Sequence, residues 1–107
     1  MNQPHYAILV DGQVIPYENV LEWATWLEQA DKKDGRRVAL TTIGTTRIST
    51  VFLGLNHAFA YNDKPQWFET MCFSQDDIDG ENERYETLDE ARRGHDRMVA
   101  KVKEMQS

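Results

Sequence analysis

An α+β domain is the fold class this sequence predicts: an antiparallel sheet of about four strands, laid out as a meander, with two amphipathic helices packed on one face. Three observations lead there. Short β-rich runs are separated by turn signals, two longer segments repeat their apolar residues every three or four positions, and no linker or internal repeat divides the chain. With 107 residues, residues 1–107 form a single domain, large enough to bury roughly 65% of its unfolded surface.

The first run, HYAILV, is a strand stopped by Asp11-Gly12, a strong turn dipeptide. Val14 and Ile15 extend a second short strand that Pro16 ends. From Asn19 the period changes. Val20, Trp23, Ala24, Leu27 and Ala30 form a helical stripe, so a helix is expected over about residues 19–31, with Asn19 as N-cap and Glu22 reaching back to it. Gly35 is available for the left-handed turn that closes it.

RRVALTTI and RISTVFLGL flank GTT and read as a β-hairpin. A three-residue loop of Gly44, Thr45 and Thr46 sets Val38 opposite Phe52 and Thr42 opposite Ile48. Val38, Leu40, Ile48 and Phe52 then share one face, whereas Ala39, Thr41, Ser49 and Val51 form a second, partly polar face open to a partner or a second copy of the chain. QWFETMCFS supplies a further strand. QDDIDGENERYE reads as an acidic loop, and Thr87-Leu88-Asp89-Glu90 is a capping box opening the second helix. Leu88, Ala91, His95, Met98, Val102 and Met105 make its apolar side. Gly94 within it costs about 1 kcal/mol relative to alanine and so points to close packing.

Charge and composition exclude several classes. The formal net charge of −6 disfavours direct binding to nucleic acid or to anionic membranes, since both depend on cations. An acidic surface can instead meet a basic protein. No window reaches the roughly 18 apolar residues of a membrane span, the first residues lack a secretory signal, and the lone Cys72 agrees with a reducing compartment; a cytoplasmic location is expected.

Chemistry would have to come from few residues. His5 is expected to be exposed, His95 packed in the second helix, and His57 at the exit of a strand. His57, Glu69, Cys72 and His95 are the weak candidates for a metal or catalytic site, and no motif spacing joins them. Cys72 sits between Met71 and Phe73 within a strand, a setting typical of a buried thiol. Gln75, Asp77, Asp79, Gly80 and Glu86 occupy positions of a calcium-loop template, but the first position lacks its aspartate and Asn82 stands where an aliphatic residue is usual. No glycine-rich phosphate loop, nucleophile elbow or paired-carboxylate motif occurs, so no cofactor and no catalytic or metal-binding residue is assigned. Trp26, Tyr61 and Trp67 are the candidate interaction surface.

The central block TTIGTTRISTVFLGLNHAFAYNDKPQWFETMCF resembles a family of small uncharacterised bacteriophage and prophage proteins, which share a pattern of the type T-T-x-G…V-S-T-V-F-L-G-L-D-H…F-E-T-M-x-F. The ending RYETLDEARRGHDRMVAKV is similar to theirs, with its Arg-Tyr, Thr-led helix start and Gly-His pair; together these cover residues 36–103. Asn56 stands where many relatives carry Asp. The resemblance implies a phage protein acting in a host cell and names no chemistry. A non-enzymatic protein-protein interaction module follows, in its sharper form an acidic inhibitor of a host factor. The alternatives are a small metal-binding protein or enzyme, and assembly through a homodimer.

Overall fold

A computed structural model describes residues 5–56, 64–74 and 82–106. In chain order the elements are β1 (Tyr6–Val10), β2 (Gln13–Tyr17), α1 (Val20–Lys32), β3 (Arg37–Ile43), β4 (Thr46–Phe52), β5 (Phe68–Ser74), β6 (Asn82–Tyr85) and α2 (Leu88–Gln106). They form two antiparallel sheets, a β1-β2 hairpin and a four-stranded meander ordered β3-β4-β5-β6. The α+β class and the meander therefore hold. Its membership differs, because β1 and β2 form their own sheet and the fourth strand, β6, comes from the segment expected to be an acidic loop. Asn-Glu-Arg-Tyr has little apolar alternation, and its strand character comes from pairing with β5.

The β1-β2 turn is the two-residue one that Asp11-Gly12 suggests, with positive φ at both positions. Around Gly54 the hairpin is joined to the exit of β4. Ala7 N–H donates to the Gly54 carbonyl at 3.0 Å, Asn56 N–H donates to that of His5 at 3.0 Å, and the Trp23 indole of α1 donates to the Ala7 carbonyl at 3.1 Å. Gly54 has φ +77°, and a Cβ there would lie 3.0 Å from Leu27 Cδ1. Only glycine combines that backbone with that approach.

The α1 N-cap is as expected: the Asn19 side chain accepts from the Leu21 and Glu22 amides at 3.1 Å. The Glu22 carboxylate engages the Tyr17 hydroxyl and raises its pKa. At the other end the left-handed residue is Asp34 (φ 55°), not Gly35. Gly35 N–H reaches the Ala30 carbonyl at 2.7 Å and Asp34 N–H the Asp31 carbonyl at 3.2 Å, a Schellman closure displaced one residue from the glycine. The inward stripe is also rotated from the expected one. Trp23, Trp26, Leu27 and Ala30 are half-buried, while Val20 and Ala24 are exposed.

The β3-β4 loop corrects the expected register. Ile43 pairs with Thr46, so the loop is Gly44-Thr45 alone, with φ +60° at Gly44 as a glycine-led two-residue turn requires. Thr41 faces Ile48 and Leu40 faces Ser49. A one-residue slip exchanges faces: Ala39 and Thr41 turn to the core with Ile48 and Phe52, and Leu40 turns away. Val38 stays inward because a bulge between Arg37 and Ala39 supplies the extra residue.

The inner face of the meander is the core. Phe52, Phe68, Trp67, Tyr85, Ala7 and Ala91 form one cluster, and Ile48, Met98 and Val102 a second with Cys72 against it. α2 packs on this face, while α1 packs on β1 and reaches the meander through Trp26, whose ring meets Phe52 edge-on at 5.9 Å. α2 opens with the predicted cap, the Glu90 amide donating to Thr87 Oγ1 at 3.1 Å. Gly94 is required by contact: a Cβ there would overlap the Tyr85 ring. No helix among the described residues is long and apolar enough to cross a membrane.

Candidate functional site

Side-chain alternation along β5 sorts the candidate chemistry. Thr70 and Cys72 point inward with Thr50 and Ile48, their cross-strand partners; Glu69, Met71 and Phe73 point outward. Glu69 is thus on the opposite face from Cys72 and His95, and the four-residue candidate site does not assemble. Its remaining member, His57, lies outside the described residues, as does Tyr61. Among the described residues no three His, Cys, Asp or Glu side chains are grouped to hold a metal. His5 is exposed. Glu69, 8% exposed, accepts from Arg84 Nε at 3.0 Å and from Asn82 at 3.4 Å.

His95 is 3% exposed and joins α2 to the sheet through both ring nitrogens, Nδ1 to Thr50 Oγ1 at 2.7 Å and Nε2 to Thr41 Oγ1 at 2.9 Å. Thr50 and Thr70 hydroxyls bond to each other, and Thr70 in turn reaches Tyr85. Tyr85 donates to Glu83 at 2.7 Å. Burial pushes the Tyr85 phenol up to about 12, opposed by Thr70 and reinforced by Glu83. Burial likewise lowers the His95 pKa, opposed by Asp96. The row of hydroxyls and imidazole runs from β3 to β6 beneath α2, where satisfied polar groups fix the docking of the helix.

The remaining candidates resolve individually. Trp67, 4% exposed, belongs to the core and presents no surface, while Trp26 is half-buried with its ring edge-on to Phe52. Asn56 Oδ1 accepts from Gln66 N–H at 3.1 Å, a bond that an aspartate could also accept. Residues 75–81 of the calcium template lie outside the described residues. Ser74, just before it, and Tyr85, just before its last ligand Glu86, fall at opposite ends of β5, because Tyr85 pairs with Phe68. Six residues of strand separate them by roughly 20 Å, too far for one ion. An open cleft of about 400 Å³ is lined by Lys64, Gln66, Arg84, Tyr85, Glu86 and Glu90, with Pro65. Neither Cys72 nor His95 reaches it.

What remains is the outer face of the meander. Register arranges it in three rows: Arg37, Val51, Glu69 and Arg84; Leu40, Ser49, Met71 and Asn82; Thr42, Arg47 and Phe73. Leu40 is 46% and Phe73 47% exposed, with Val51 half-buried between Arg37 and Glu69 and Met71 half-buried between Ser49 and Asn82. The open face expected from sequence had Ser49 and Val51 right but exchanged the residues of β3, putting Leu40 inside and Ala39 and Thr41 outside. Comparisons with protein-family models, curated proteins and solved structures return no match.

Proposed function

We propose that the chain is a non-enzymatic protein-protein interaction module of phage type, which docks a host or phage protein through the outer face of its meander. The observation behind this reading is the apolar strip of Leu40, Val51, Met71 and Phe73 on the face away from α2. In this reading both helices belong to the covered side, α1 through Trp26 on Phe52. An antiparallel sheet commonly leaves one face to solvent, and that face is then polar; apolar residues grouped on such a face favour a contact surface.

The test is a Leu40→Asp, Phe73→Asp double variant used as bait in host lysate beside the parent protein. Both side chains lie outside the core, so the unfolding midpoint should change little. The partner retained by the parent should be lost. Retention of the same partner by the folded variant would remove the outer face from the reading. Assembly through a homodimer would use the same strip, and light scattering at increasing concentration separates it. The form in which the protein is an acidic inhibitor rests on net charge alone, whereas docking answers to the charge of the face itself.

A further inference from the structure

Although the whole chain is acidic, its open sheet face is basic. Among the described residues, Arg37, Arg47 and Arg84 lie on it against a single carboxylate, Glu69, which Arg84 already engages at 3.0 Å. Arg47 is exposed. Arg37 has a buried Nε with no acceptor among the described residues, and its nearest carboxylate, Asp34, stands 3.7 Å from the other end of the guanidinium. That Nε is shut off from the surface, so a docked segment meets Arg37 through the exposed part of its side chain, 28% of it, beside Asp34.

Resting on the docking reading above, we infer that the outer face binds an acidic, extended protein segment, in which two carboxylates four residues apart flank an apolar side chain. The spacing comes from β4. Arg37 is opposite Val51 and Arg47 lies four residues further back on β4 itself, so the two residues bracket a strand length of roughly 13 Å. Leu40 and Met71, facing Ser49 from either side, occupy the interval between them. An extended segment presents every second side chain to one surface, so an acid-x-apolar-x-acid pattern places its carboxylates on the arginines and its apolar residue on Leu40 and Met71.

Two other occupants fit less well. A second copy packed face to face would set these arginines against their own equivalents, with Glu69 already committed. Single-stranded nucleic acid gains from stacking on several aromatic faces, and among the described residues this surface has one, Phe73.

The experiment titrates isotope-labelled protein with a short peptide carrying two aspartates four residues apart and a leucine midway. Controls are the same peptide with lysines for aspartates and a single-stranded oligothymidine. The aspartate peptide should shift the amides of Leu40, Met71 and Phe73, bind more weakly as salt rises, and lose about tenfold in affinity with Arg47→Glu, a fully surface change that leaves the fold intact. Arg37→Glu should lose at least as much, and its stability is measured alongside. Binding of the lysine peptide as well as the aspartate one, tighter binding of the oligonucleotide, or no shift on the outer face would each overturn the proposal. The lysate bait keeps this failure separate from that of the docking reading: a partner lost with the Leu40/Phe73 variant but retained by Arg47→Glu leaves docking in place and removes the acidic segment.

Discussion

Gly94 and Tyr85 show how a single side chain can be decided by a neighbour far away in sequence. The Tyr85 ring lies directly on the α2 backbone, so Gly94→Ala has to push the helix off β6. It should cost about 1–3 kcal/mol or more, read as a lower urea midpoint, although alanine is the better helix former. Asp34 is the opposite case, since its left-handed φ of 55° is one that glycine adopts freely. Relief of about 1–2 kcal/mol of steric cost, less about 0.5–1 for glycine's unfolded-state entropy and a few tenths for the exposed pair with Arg37, leaves Asp34→Gly more stable by about 0.5 kcal/mol. An unchanged or lower melting temperature would contradict this. His95 ties stability to pH. Its folded pKa lies below the ordinary 6.5, so between the two values the unfolded chain binds more protons. Stability should be flat above about pH 6.5, fall as pH drops through the window below it, and level off beneath the folded value. His95→Gln should flatten that part of the profile.

At the scale of elements, the cap of α2 and the register of the meander are the testable units. Thr87→Ala removes the acceptor for the Glu90 amide and should cost about 1 kcal/mol, checked by denaturant unfolding. The helices were legible in the sequence because a 3.6-residue period and capping residues are local properties; α2 starts where Thr87 predicts it and buries its stripe as far as Val102, while Met105, expected on the apolar side, is 75% exposed. The hairpin was legible as a hairpin but not in its register. Two-residue and three-residue loops differ by one position at Thr46, and the bulge that keeps Val38 inward leaves no local mark. β6 was hidden for a related reason, since its four residues owe their strand to β5. Glu69 and Cys72 were candidates by residue type alone, with no spacing that joined them to His57 or His95. On a strand their odd separation places them on opposite faces, which is enough to keep Glu69 away from Cys72 and His95.

On the scale of the whole molecule, charge is segregated. A chain of net −6 turns a basic, apolar sheet face to one side and encloses its core with α2 on the other. Truncation before His95 should therefore leave the inner face of the meander bare, with near-ultraviolet circular dichroism lost and a hydrophobic dye bound; a truncated chain that keeps its tryptophan signal would contradict this. The same dependence sets an order for the protein's birth on the ribosome. Ile48 and Phe52 are synthesised long before Met98 and Val102, the residues that close the second cluster over Ile48. The meander can be laid down as the chain emerges, but it stays uncovered until Val102 has left the exit tunnel, and through that interval the nascent chain offers its inner face to chaperones and proteases.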